Sequence, residues 1–208
     1  MEIYIVRHGE TLWNKGKRLQ GRTDIELNDY GRELARKTGE ALMDTEIDVI
    51  YSSPLKRAYE TASLIRNGRD IEIITDDRLR ELCFGCYEGE NFSELIKDGN
   101  LTFKYFFKQP ELYVAAPDGE TLEHLIERAG NFMQEVIEPL ANDKTRVMIV
   151  AHGALNKAIM SYIKKHDISK FWSGGLQQNC NVMIVDYTDG VYKIIDETHL
   201  FYEETQQG

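Results

Sequence analysis

Short apolar runs that alternate with stretches of helical periodicity confine this chain to few folds. The runs cover 2–6, 47–51, 71–75, 145–151, 181–187 and 191–197. They are rich in β-branched and aromatic residues, as buried strands are. Asn28-Asp29 can cap a helix reaching about Met43, with Leu34, Thr38, Ala41 and Leu42 on one face. Ser53-Pro54 opens a second helix, with Pro54 in its first turn and Ala58, Ala62 and Ile65 as its apolar stripe. A third is predicted from about Thr121 to Leu140, ending near Pro139, and a fourth from Gly153 to Lys165. Strands and helices in alternation pack as a mostly parallel sheet covered on both faces, a three-layer α/β/α sandwich. Thr188-Asp189-Gly190 is a hairpin signal, so the last two strands are expected to be antiparallel.

The 208 residues suit a single domain, 1–208, with the segment at about 88–120 as an insertion over the sheet. That segment holds Gly99, Pro110 and Pro117 and an aromatic patch, Phe103, Tyr105, Phe106, Phe107 and Tyr113. The patch has two readings, an apolar wall that selects the substrate body and simple packing of the insertion. Four aromatics so closely spaced cannot all face one way, so packing is expected for most and a place in the cleft for one or two.

A net charge of -10 with no Lys/Arg run argues against a nucleic-acid partner. It leaves an anionic substrate open, because a few cations can converge in one cleft. No apolar stretch approaches the length needed to span a membrane, and residues 1–20 lack a basic start with an apolar core, so no membrane role and a cytoplasmic location are expected. Three cysteines do not make a disulfide framework. An edge strand leaves a homodimer open, though nothing in the sequence demands one.

The chemistry sits at the strand ends. The run Glu2–Val6 stops at Arg7-His8-Gly9-Glu10-Thr11, which sets a guanidinium and an imidazole side by side at the ligand-binding edge of the sheet. Imidazole can attack phosphorus, and guanidinium matches phosphate oxygens with a two-pronged fork. The next strand leads into Ser52-Ser53-Pro54-Leu55-Lys56-Arg57-Ala58, with an Arg at a helix start that itself favours anions. The strand Arg146–Ala151 ends at His152-Gly153. Taken singly, Arg57 reads as a solvated helix residue and His152 as a packed core histidine. Arriving together at neighbouring strand ends, they are poorly explained by coincidence.

These blocks, with Arg80-Glu81-Leu82-Cys83-Phe84-Gly85-Cys86-Tyr87-Glu88-Gly89, resemble the histidine phosphatase superfamily, which includes the cofactor-dependent phosphoglycerate mutases. The resemblance covers nearly the whole chain in order. It implies a phosphoglycerate mutase-like fold and a phosphomonoesterase that works through a phosphorylated histidine, with no metal and no cofactor. Carried over by position, His8 resembles the nucleophile and Glu81 the proton donor. Arg7, Arg57 and His152 match the pocket that grips the phosphoryl oxygens, Asn14 a further phosphate ligand, and Gln20-Gly21 the substrate-contacting turn.

Departures from the family also carry information. Cys83 and Cys86 form a C-x-x-C that taken alone suggests a redox pair or half a zinc site, but no second pair accompanies them. If Cys83 lines the pocket mouth, its alkylation should slow turnover. Tyr87 stands where a Trp is common. The family's mutases use paired arginines from the segment after the acid, yet no Arg lies between Arg80 and Arg128, only Lys97, Lys104 and Lys108. Pro117-Asp118-Gly119-Glu120-Thr121 looks like the phosphatase branch. A phosphatase of small phosphomonoesters is therefore expected, with a phosphoglycerate mutase and an inactive binding module as alternatives. Sugar phosphates, a nucleotide-loop phosphate, phosphoglycerates and phosphotyrosine all remain open as substrates.

Overall fold

Period-two alternation along the strands sorts side chains into two apolar layers, and the helices follow. The computed structural model describes residues 1–97 and 101–202, so Gly99 of the expected insertion lies outside them. In chain order the elements are β1 (Glu2–Arg7), α1 (Leu12–Lys15), α2 (Asp29–Ala41), β2 (Val49–Ser52), α3 (Lys56–Arg66), β3 (Ile73–Thr75), α4 (Phe92–Lys97), α5 (Leu101–Lys104), α6 (Leu122–Phe132), β4 (Arg146–Ala151), α7 (Gly153–Lys164), β5 (Val182–Thr188) and β6 (Val191–His199). The strands form a 6-stranded sheet in the order β3-β2-β4-β1-β5-β6. The first four strands are mutually parallel, and β5 runs against both of its neighbours.

Ile3, Ile5, Val147 and Ile149 face one layer, packed with Leu122, Leu125 and Phe132 of α6 and Leu155 and Ile159 of α7. Tyr4, Val6, Met148 and Val150 face the other, against Leu42 after α2 and Ala58, Ala62 and Ile65 of α3. Each fully buried aliphatic side chain stabilises the fold by about 1.5–3 kcal/mol. The chain leaving β1 thus heads for α2 on one face, while the chain leaving β4 heads for α7 on the other. Adjacent parallel strands whose connections diverge open a crevice at their carboxyl ends, where α/β sheets bind ligands.

Register brings the strand ends level. Arg7 pairs with Ala151 and Ser52 with Val150, so His8, Ser53 and His152 leave the sheet together. The loop after His8 crosses α2 backbone to backbone. A Cβ on Gly9 would stand 2.6 Å from the Gly31 carbonyl oxygen, and one on Gly31 would stand 2.2 Å from that of Glu10.

Two helix boundaries differ from expectation. α3 begins at Lys56, leaving Pro54 outside its first turn. Leu55 gives the helix no side-chain cap; instead Asp24 Oδ1 accepts the Lys56 N–H at 2.7 Å. A cap supplied from another segment fixes the start two residues late. The third helix keeps α geometry only to Phe132, continues as a π turn over Met133–Ile137 and closes as a 3-10 turn over Glu138–Asn142. Pro139 brings no N–H to the ladder, and hydrogen-bond spacing changes around it. No helix among the described residues is long and apolar enough to cross a membrane.

Candidate active site

His8 is buried to 3% exposure at the end of β1. Its Nδ1 lies 2.7 Å from the Gly9 carbonyl oxygen. A carbonyl only accepts, so Nδ1 carries the proton and Nε2 keeps its lone pair. Burial, then the charges of Arg57 and Arg7, hold the imidazolium form well below the ordinary histidine range. Asn179 donates from Nδ2 to the His8 carbonyl at 2.8 Å, and Gly9 N–H bonds Thr61 Oγ1 at 3.0 Å. His8 is thus a neutral imidazole held in one orientation.

His152 lies beside it, fully buried, its ring centroid 5.2 Å from that of His8. Burial and then Arg57 keep it neutral as well. Its Nε2 is 2.8 Å from Ser53 Oγ, and Ser53 Oγ also accepts the Leu55 N–H at 3.3 Å. If Ser53 donates its hydroxyl proton to Nε2, His152 carries its own proton on Nδ1, a buried atom with no protein partner.

Arg57, at 0% exposure, donates from Nη1 to the Thr23 carbonyl at 2.9 Å and from Nη2 to the Gly21 carbonyl at 2.7 Å. Burial pushes its pKa down to about 10, which still leaves it charged at neutral pH. Arg7 donates from Nη1 to the Gln177 carbonyl. The Nε atoms of both arginines are buried and unpartnered, like His152 Nδ1. Unmatched donors on two guanidiniums and an imidazole suit an oxyanion.

Glu81 comes from a different part of the chain. Its Oε1 accepts N–H bonds from Leu82 at 2.9 Å and Leu155 at 3.0 Å, and its Oε2 accepts from Ala154 at 3.1 Å. It therefore caps α7, which His152 leaves without a side-chain cap. Asn14 holds Thr11 in a capping box, its Oδ1 accepting from Thr11 N and Oγ1, each at 3.0 Å. Its oxygen is thereby engaged, which leaves its amide N–H groups as donors. Arg7, His8, Asn14, Gln20, Gly21, Arg57 and Glu81 all line one cavity of about 410 Å³. His152 is not among the residues that line it; its ring stands beside that of His8.

The same cavity is lined by the aromatic side chains Phe84, Phe92, Phe106, Phe107 and Trp172 and by Leu176. Phe103 is instead buried among Phe84, Tyr87 and Phe92. Phe107 is 41% exposed, with its ring centroid 4.7 Å from Trp172 and 5.0 Å from Phe92. Lys17 and Arg18 add cations to the cavity. Cys83 does not line it; it borders a separate hollow with Asp118, Glu120 and His124. The premise for its alkylation slowing turnover is therefore missing. Sequence reasoning also passed over Trp172, Leu176, Gln177 and Asn179. They lie in a loop between α7 and β5 whose only local signal is Gly174-Gly175, both at positive φ.

The family model for the histidine phosphatase superfamily (branch 1) matches residues 3–197. Phosphoserine phosphatase 1 of Hydrogenobacter thermophilus is 33% identical over 175 residues, spanning 84% of this chain and 82% of that protein. A 2,3-bisphosphoglycerate-dependent phosphoglycerate mutase of Cytophaga hutchinsonii is 34% identical over 165 residues, 78% of this chain and 77% of the relative. Among solved structures, Bacillus stearothermophilus YhfR superposes with a TM-score of 0.86 at 33% identity, covering 94% of this chain and 96% of that one.

Proposed function

The chain belongs to the histidine phosphatase superfamily, and from that footing we propose that it is a metal-independent phosphatase of small phosphomonoesters acting through a covalent phosphohistidine. One observation carries the reading: a neutral His8 with its proton on Nδ1 lines one cavity with Arg7, Arg57, Asn14 and Glu81.

The lone pair of His8 Nε2 attacks phosphorus while the ester P–O bond breaks. Negative charge moves onto the non-bridging oxygens, where the two guanidiniums stabilise it, with His152 held beside His8. The departing oxygen takes its electron pair and a proton from Glu81. Glu81, now ionised, accepts a proton from water as that water attacks the phosphohistidine. The P–N bond breaks and His8 regains its lone pair. Asn14 donates to a phosphoryl oxygen, and Gln20 and Gly21 contact the ester side. Fixed arginines supply the positive charge that a metal would supply elsewhere.

Phosphatase is favoured over mutase by the wall facing the phosphoryl pocket. A mutase must hold a carboxylated substrate while it reorients, yet the segment after Glu81 lends this cavity Phe84, Phe92, Phe106 and Phe107 and no arginine. An apolar wall beside a phosphoryl pole suits an ester with a partly apolar body. The test is phosphate release from a panel of monoesters with metal chelated and His8→Ala alongside. Release that vanishes in the variant supports the reading; isomerisation of 3-phosphoglycerate without release would replace it by the mutase.

A further inference from the structure

We propose that Glu88 is a positioning residue for Arg57, acting through the turn that both side chains grip; the inference rests on Arg57 holding the phosphoryl group. The turn is Gly21–Thr23. On one side, Glu88 Oε1 accepts the Arg22 N–H at 2.9 Å, and Oε2 accepts the Thr23 N–H at 2.8 Å and the Thr23 hydroxyl at 2.5 Å. On the other, the Gly21 and Thr23 carbonyls take the two Arg57 bonds, at 2.7 Å and 2.9 Å. The Gly21–Arg22 peptide thus accepts from the arginine at its oxygen and donates to the carboxylate at its N–H, and Thr23 joins the two through its own carbonyl, N–H and hydroxyl. Phe84 N–H completes the clasp at 3.2 Å from Oε1, tying it to the segment that carries Glu81.

Fit around the turn is tight. Gly21 has φ +52, and a Cβ there would stand 2.0 Å from Glu88 Oε1. Arg57 spends one N–H of each terminal nitrogen on the turn, so carbonyl positions set the plane of its guanidinium. A planar fork loses its match to phosphate oxygens when that plane tilts. Glu88 also opposes the effect of burial on Arg57, its charge favouring the guanidinium form. Its carboxylate touches neither His8 nor Glu81 in the hydrogen-bond pattern, so any influence on chemistry runs through the turn.

A double-variant cycle tests this, read by kcat/KM for 4-nitrophenyl phosphate and by the Kd of inorganic phosphate. Glu88→Gln should lower kcat/KM and weaken phosphate binding by about tenfold to a hundredfold. In an Arg57→Met background the same change should add less than about threefold, because the group being positioned is gone. Equal losses in both backgrounds would mark Glu88 as a general structural staple and overturn the proposal, as would an undiminished, folded Glu88→Gln. Should Glu88→Gln not fold, Thr23→Val removes one donor to the carboxylate and leaves the Thr23 carbonyl in place. It should give a smaller loss that again disappears with Arg57→Met, and an equal loss in both backgrounds overturns the proposal. Wild-type protein that neither binds phosphate nor releases it from the ester would overturn the phosphatase reading and this inference together. Binding and release with independent losses would overturn this inference alone.

Discussion

His8 and His152 meet with ring centroids 5.2 Å apart and planes inclined by 60°, both buried in a site with the buried Arg57 and the half-buried Arg7. Neither ring has a carboxylate partner in the hydrogen-bond pattern: His8 leans on a carbonyl and His152 on a hydroxyl. Protonating either one would set like charges side by side in a site that already holds Arg7 and Arg57. The pair is therefore built to remain neutral.

Stability should fall as acid protonates the unfolded chain first. Both histidines are held well below the ordinary range, by burial and then by Arg57. Their contribution is fully present above the unfolded value of about 6.5 and is lost as pH falls through the folded values. Between these limits each imidazole adds a slope of up to about 1.4 kcal/mol per pH unit. Thermal melts of wild type and His8→Asn from pH 7.5 to 5 should show a shallower acid decline in the variant. Parallel declines would mean that His8 is not neutral in the folded state.

Activity carries the same signature. Arg57 is the first charge acting on His8 after burial itself. Arg57→Met should raise the pH at which His8 protonates, so the acid limb of kcat/KM moves upward while the rate at its plateau falls. An unmoved limb would assign it to another group or to the substrate.

Glu81→Gln should separate esters by their leaving groups. An alkoxide needs a proton as it departs, whereas 4-nitrophenolate leaves without one. The variant should lose about 100-fold or more on an alkyl phosphate, and much less on 4-nitrophenyl phosphate in the phosphorylation step. Single-turnover kinetics isolate that step from hydrolysis of the phosphohistidine. Equal losses on both esters would reduce Glu81 to its visible role as the cap of α7.

How far the sequence could be read follows from where each signal lives. Arg7, His8 and His152 were legible because they directly follow apolar runs, and parallel register carries neighbouring strand ends to one edge. Glu88 was not, because its partners on the turn lie 65 and 66 residues away and three of its four bonds run to backbone N–H groups, which have no sequence signature. Asp24 escaped for the same reason, and with it the true start of α3. Histidine phosphatase resemblance reached Glu81 by position, but not its place on α7. The aromatic segment announced its composition without revealing that Phe103 turns inward while Phe106 and Phe107 reach the cavity.

Arg128 offers a test of how the acid is held. It donates to both oxygens of Glu120, at 2.7 Å and 2.9 Å, to the Arg78 carbonyl at 2.6 Å and to the Glu81 carbonyl at 3.1 Å. Burial would push the Glu120 carboxyl up, but Arg128, His124 and Arg22 hold it below the ordinary range. Arg128→Met leaves that carboxylate buried with weaker partners, a loss of about 3 kcal/mol and roughly 6–12 °C in Tm. Stability from Glu120 is present above its unfolded pKa and is lost as pH falls, so the deficit should narrow toward pH 4. Adding Glu120→Gln should recover part of it at neutral pH. A deficit independent of pH and of residue 120 would point to lost packing alone.

The aromatic wall makes a prediction about substrates that leaving-group chemistry cannot mimic. Propyl phosphate and 3-phenylpropyl phosphate release alkoxides of closely similar basicity, so their ratio of kcat/KM reports contact with the distal ring. Phe92, Phe107 and Trp172 stand with neighbouring centroids 4.7 Å and 5.0 Å apart beside the cavity. Ring-on-ring contact beyond simple burial adds about 0.5–1.5 kcal/mol per pair. The 3-phenylpropyl ester should therefore be preferred by about tenfold or more. Phe107→Ala should pull the ratio toward unity, because it removes the most exposed of the three rings. A wild-type ratio near one, or a ratio indifferent to Phe107, would mean that these aromatics serve only to pack the segment onto the sheet. The substrate body would then be read by the cations Lys17 and Arg18 on the same cavity.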